Sequence, residues 1–186
     1  MKRRIDRRRT LIPLTAIVVL LGGFVLDRLG AGDTLRSTAQ TVVADAHPLV
    51  GDEAAQLAHQ NFQQAVVMLQ AGQYDYAVSA LHEVLKIYPG LPEAHANMGY
   101  ALVGLGQYDA ATDFFESATD LRPTLHTAYY GLALAEDGRG DTRAALAAMQ
   151  AFAHLAAGDD PYLSRAQSAM RQWESELSPE LPERTP

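Results

Sequence analysis

Three glycines, Gly72, Gly106 and Gly140, stand 34 residues apart, and the residues around them repeat in step. The segments Ala71-Gly72-Gln73-Tyr74-Asp75-Tyr76-Ala77, Leu105-Gly106-Gln107-Tyr108-Asp109-Ala110-Ala111 and Arg139-Gly140-Asp141-Thr142-Arg143-Ala144-Ala145 share a glycine and, five residues on, an alanine. A strict period of this length constrains the fold more than any bulk property. Each unit is one supersecondary element that cannot bury its apolar face alone, so the units must stack. With 48% apolar and 20% charged residues, the 186-residue chain has a composition that supports such a stack.

Each glycine marks the turn of a helical hairpin, and small residues recur where two helices must approach closely. The first frame runs over Ala58–Leu91, with Ala65, Gly72, Tyr74, Ala77, Val84 and Pro89 in order. The second, Pro92–Leu125, repeats this with Gly99, Gly106, Tyr108, Ala111, Ala118 and Pro123. The third, His126–Asp159, has Tyr129, Ala133, Gly140, Ala145 and Phe152, but Thr142 replaces the aromatic and no proline closes the unit.

These residues, in this register, resemble the tetratricopeptide repeat family, over 102 of the 186 residues. The resemblance implies an all-α fold, a solenoid of three helical hairpins over residues 52–158. It also implies a concave groove, lined by the first helix of each hairpin, that holds other polypeptides.

A stacked array exposes an apolar face at each end unless it is capped. Asp159-Asp160-Pro161 reads as a helix start with proline at the first helical position. Leu163, Ala166, Met170, Trp173 and Leu177 then fall on one face, so residues 159–177 are predicted to form a capping helix, with 178–186 a flexible tail. At the other end, Asp52 can cap a first helix running from Glu53 to about Gln70.

The amino terminus sets the expected location. Residues 1–10 form a basic segment, six Lys/Arg against one Asp, followed by the uncharged run Leu11 to Leu26. As a helix that run is about 24 Å long, against a hydrocarbon core of roughly 30 Å, and snorkelling by Arg9 and Arg28 makes up the difference. Residues 11–29 are thus predicted to be a transmembrane signal anchor. The positive flank places the amino terminus in the cytoplasm and the repeats outside, on the periplasmic side of a bacterial inner membrane. A second reading is a cleaved signal peptide with its site at Gly30-Ala31-Gly32. Residues 30–51 form a connector in which Leu35, Ala39, Val42, Ala46 and Leu49 fall at the spacing of one helical stripe, and Pro48 would stop such a helix near Ala46. That stripe can pack on the repeats, bind a partner or fill the groove in cis.

Several function classes drop out. From residue 52 onward the chain carries 18 Asp/Glu and 7 Lys/Arg, which argues against a nucleic-acid partner. There is no cysteine, so no disulfide, haem-attachment motif or lipidated amino terminus is available, while the redox compartment stays open. His47, His59, His82, His95, His126 and His154 show no metal-ligand spacing, and no phosphate loop or nucleophile elbow occurs. No enzyme activity, cofactor, metal or small-molecule substrate is expected.

Carrying the family's groove positions onto this chain gives His59, Phe62, Val66, Leu69 and Gln70; Glu93, Ala96, Tyr100, Val103 and Gly104; and Thr127, Tyr130, Leu134, Asp137 and Gly138. Relatives that grip acidic chaperone tails use a clamp of Lys, Asn and Arg, and here those positions hold Phe62, Val66, Asn97, Thr127 and Gly131, of which Asn97 alone fits. An apolar groove suits a helix or extended segment presenting apolar side chains. The expectation is a non-catalytic scaffold for protein–protein interaction anchored in the inner membrane, an accessory or assembly factor of a membrane-bound respiratory, cytochrome or translocon-like complex with membrane-associated protein partners. A soluble periplasmic chaperone or envelope-organising protein released by signal cleavage, and a permanent structural subunit, are the alternatives.

Overall fold

The computed structural model describes residues 51–178. The basic segment 1–10, the segment 11–29, the connector 30–51 apart from Gly51, and the tail 178–186 apart from Ser178 lie outside the described residues. Seven helices follow in order: α1 Asp52–Gln70, α2 Tyr74–Ile87, α3 Pro92–Gly104, α4 Tyr108–Leu121, α5 His126–Arg139, α6 Thr142–Leu155 and α7 Leu163–Leu177. Among the described residues, none of these is long and apolar enough to cross a membrane.

The 34-residue glycines close α1, α3 and α5 in the same way. Each adopts the left-handed conformation, with φ of 70°, 73° and 85° at Gly72, Gly106 and Gly140, where a Cβ costs about 1–2 kcal/mol. In each, the glycine N–H bonds three residues back and the next N–H bonds five back. The latter bonds are Gln73 to Met68 O, Gln107 to Leu102 O and Asp141 to Glu136 O, all 2.9 Å. This paired closure satisfies the last free carbonyls of the helix and sends the chain back antiparallel. The hairpins α1/α2, α3/α4 and α5/α6 result.

Stacking between hairpins depends on rings laid against missing side chains. Phe115 of α4, fully buried, fills the space between α3 and α5, where a Cβ on Gly99 would stand 2.7 Å from its ring and one on Gly131 would overlap it. Tyr100 meets the Phe115 ring edge-on at 5.0 Å, and its hydroxyl donates to the Thr127 carbonyl in the first turn of α5. Three helices are thus joined at one ring. The same device recurs at the turn edge. Tyr74 lies over Gly104, where a Cβ would approach its ring to 2.5 Å, and Tyr108 lies over Gly138 in the same relation 34 residues on. In the third hairpin Thr142 ends this series, and the corresponding residue of α7 is Gln172 rather than glycine.

Successive first helices pack on one another, α1 on α3 and α3 on α5, whereas successive second helices have no comparable contact. The stack therefore curves with α1, α3 and α5 on its inner side. Ala58, Ala65, Ala77, Ala111, Ala118, Ala133 and Ala145, all fully buried, keep the helices close.

Two expectations about helix starts need correction. Gly51, not Asp52, precedes the first turn of α1, which begins at Asp52 itself. The carboxy-terminal helix begins at Leu163, not at Pro161. Asp160 Oδ1 accepts from the Tyr162 N–H at 2.8 Å, and Asp160 Oδ2 lies 3.3 Å from His126 Nε2. The Asp160 side chain thus holds an extra turn across the start of α5 before α7 can begin. Ala166 and Trp173 are the buried residues of α7, and Leu177 is exposed.

The Phe115 seat makes a sharp prediction. Gly131→Ala should destabilise the protein by about 1–3 kcal/mol through overpacking. Adding Phe115→Leu, which installs the smaller residue that Leu81 supplies at the same place in the first hairpin, should recover much of the loss. Urea unfolding of the two single variants and the double variant measures the coupling.

Candidate functional site

The residues expected to line the groove, with Asn97 of the clamp positions, lie on α1, α3 and α5, but the structure divides them. Phe62, Ala96 and Val103 are buried and form the floor. His59, Val66, Leu69, Asn97 and Tyr100 are half-buried above it and remain open to a ligand. The His59 Nε2 atom bonds the Gln63 amide at 2.9 Å, which fixes its ring on α1. Glu93, at the first turn of α3, is paired with Arg122 at the end of α4, so it brings no free charge. Thr127 is half-buried, its carbonyl already taken by Tyr100.

The third hairpin contributes less than expected. Tyr130 and Leu134 are buried. The Tyr130 ring stands 5.1 Å from Phe152 and 5.2 Å from Tyr162, closed in by the segment that leads into α7. Asp137 Oδ1 accepts from the Trp173 indole N–H at 2.9 Å. The cap therefore occupies the far end of the groove, and the expectation of an opening across all three hairpins is corrected to one across α1 and α3. The cause is the footprint of α7, which the periodicity of the repeats does not contain. Gly104 and Gly138, expected in the lining, instead seat Tyr74 and Tyr108.

Charge is scarce in the open part. Of the five clamp positions, Phe62 is buried and Gly131 lies under Phe115, so the basic side chains that would hold an acidic tail have neither the identity nor the room. His95 is accounted for within the fold, its Nε2–H donating to the Pro89 carbonyl at 2.7 Å. Among the described residues no group of three His, Asp or Glu side chains could hold a metal ion. A polar depression does exist, lined by Gly106, Gln107, Tyr108, Gly138, Arg139 and Asp141, but it lies at the turn edge and not in the groove. There Arg139 bridges Asp109 at 2.8 Å and buried Glu136 at 2.9 Å, which joins the first turn of α4 to the end of α5. Sequence inspection missed this bridge, since nothing in the repeat pattern pairs residue 109 with residue 139.

Burial sets the protonation of the groove wall. It pushes the Tyr100 hydroxyl well above the usual phenol range and raises that of Tyr130, where Arg165 pulls the other way. Both tyrosines are neutral hydrogen-bonding groups at physiological pH.

With this geometry in place, comparison with known proteins identifies the architecture. Residues 68–135 match the model of the tetratricopeptide repeat family. Over those residues the chain is similar to tetratricopeptide repeats. Solved structures extend the match beyond the central repeats. The TPR2B domain of yeast Sti1 in complex with an Hsp70 peptide is 18% identical, with 65% of this chain and 98% of that one covered and a TM-score of 0.61. The Yersinia enterocolitica type III secretion chaperone SycD in complex with a peptide of the translocator YopD is 16% identical, with 70% and 99% covered and a TM-score of 0.61. A mutant of the protein MamA is 26% identical, with 76% and 97% covered and a TM-score of 0.51. These likenesses extend over about two thirds or more of this chain and nearly all of each neighbour. No curated protein sequence matches the chain.

Asp137 supplies a pH test of the cap. Burial raises its carboxyl above the ordinary value, the Trp173 N–H opposes the rise, and Glu176 adds to it. A carboxyl with a raised folded-state value binds its proton more tightly in the fold, so stability falls as pH rises from the unfolded to the folded value. Asp137→Asn keeps an acceptor for the indole and removes the charge. Urea unfolding across a pH series should show the wild type losing stability relative to the variant over that window, with a constant difference above it.

Proposed function

We propose that this protein is a non-catalytic scaffold that holds a partner polypeptide in the groove between α1 and α3. The observation that carries this reading is the open lining itself. His59, Val66, Leu69, Asn97 and Tyr100 surround a floor of Phe62, Ala96 and Val103, apolar apart from one amide, one imidazole and a hydroxyl already bonded. Such a surface recognises apolar side chains on a helix or extended segment, with Asn97, whose side chain has no hydrogen bond among the described residues, available to bond its backbone. The solved complexes of Sti1 and SycD support peptide capture as a use of this architecture. The absence of basic residues at the clamp positions argues for a ligand other than an acidic tail.

The reading includes the site of action. Residues 11–29 anchor the protein in the bacterial inner membrane, with the repeats on the periplasmic side. Confinement to the membrane surface raises the effective concentration of the groove toward membrane-bound partners. The role that follows is accessory or assembly factor of a membrane complex. Intact mass of the protein purified from membranes tests the anchor: retention of residues 1–32 is expected, and their loss would favour the soluble periplasmic alternative.

The groove is tested separately. Crosslinking and pull-down from native membranes should recover a partner with the wild type and lose it with Val66→Glu combined with Leu69→Glu. Both residues are half-buried at the rim, so circular dichroism should show the helices intact. Unchanged capture by the folded variant would exclude this face as the binding surface.

A further inference from the structure

The two ends of the solenoid are finished differently. At the carboxy-terminal end α7 turns Gln167, Ser168, Arg171, Gln172 and Glu174 to solvent, a polar closure. At the amino-terminal end the outward face of α1 carries Leu57 at 51% exposure and Val67 at 55%. The period shows what this face is. Leu57 corresponds to Leu91, which is 3% exposed, and to half-buried Leu125, each the residue just ahead of its helix, and Val67 corresponds to Ala101 and Ala135, both 0%. There α3 packs against the second helix of the preceding hairpin, α2, and α5 packs against α4. On α1 the same positions have no such helix among the described residues.

We propose that residues 33–46 of this chain supply it, as a helix antiparallel to α1 that covers Leu57 and Val67 in cis. Three observations select this occupant. The first is spacing: Leu35, Ala39, Val42 and Ala46 are separated by 4, 3 and 4 residues, as are Ala77, Leu81, Val84 and Tyr88, the buried stripe of α2 and its cap. The second is punctuation. The helices α2 and α4 end at Ile87 and Leu121, one residue intervenes, a proline follows, and the next first helix begins three residues beyond it. After Ala46 one residue intervenes, where none separates Tyr88 from Pro89, then Pro48 follows and α1 begins four residues beyond it. The third is reach. A helix of these fourteen residues is about 21 Å long, the same span as residues 53 to 67 of α1, so it covers both exposed side chains when folded back from Gly51.

A second copy of the chain fits this face less well. Two apolar residues per copy, Leu57 and Val67, fall far short of a standard interface. The in-cis helix also decides between the two surfaces open to the stripe: it lies on the end face of α1, where Val67 is about 100° and Leu57 about 180° around the helix from Val66, and leaves the groove free. The Gly30-Ala31-Gly32 site precedes the segment, so the proposal holds whether or not the amino terminus is cleaved. Where the anchor is retained, a few residues separate it from this helix and the repeats sit at the membrane surface.

The chain has no cysteine, so introduced pairs report without background. In full-length protein in detergent micelles, oxidation of Leu35→Cys/Val67→Cys should yield an intramolecular disulfide, and Leu35→Cys/Val66→Cys, whose second cysteine faces the groove, should not. Adding Leu57→Asp to the first pair should abolish its crosslink while circular dichroism shows the repeats intact. A disulfide-linked dimer from the first pair would assign the face to a second copy. Equal yields from the two pairs would place the stripe in the groove, and no crosslink from either would leave the face without this helix; each of these overturns the proposal.

Discussion

An aromatic ring can lie flat against a neighbouring helix only where that helix lacks a Cβ, and the stack of hairpins in this protein depends on that constraint. Phe115 occupies the meeting point of α3, α4 and α5 because Gly99 and Gly131 both yield the space. Burying such a ring contributes roughly 1.5–3 kcal/mol, but the larger consequence is geometric: the glycines set how closely the third hairpin approaches the second. Tyr100 then finds the Thr127 carbonyl within bonding distance. The inner wall of the groove is held in place by the same contact that spaces the repeats.

That coupling bears on why the two ends of the groove differ. Where the stack continues, a second helix covers the outer face of the next first helix, and the inner face is left to a ligand. Where it stops, α7 covers α6 and reaches around to Asp137 through the Trp173 indole. The closure that makes the carboxy-terminal end soluble also removes Tyr130 and Leu134 from the binding surface. The open part of the lining is thereby confined to α1 and α3.

Much of this was legible in the sequence because it is local. The left-handed glycines, the small residues at hairpin contacts and the degenerate third turn all follow from a 34-residue period and the chemistry of single positions. The relations that were not legible are those between positions. Gly131 and Gly104 look like ordinary small residues until the ring that each must admit is known, and that ring comes from the preceding hairpin. Tyr130, Leu134 and Asp137 occupy groove positions by register, but their availability depends on where α7 lies. Its start in turn depends on Asp160 bonding Tyr162 and contacting His126, a non-local arrangement with no periodic signature.

The central claim is that partner binding is confined to the inner face of α1 and α3. Site-specific photocrosslinking in native membranes tests it most directly, with the photoreactive residue placed at Leu69 on the rim of the groove or at Leu155 on the outer side of α6. The account predicts covalent partner adducts from residue 69 and none from residue 155. Adducts from residue 155, or only intramolecular products from residue 69, would contradict it.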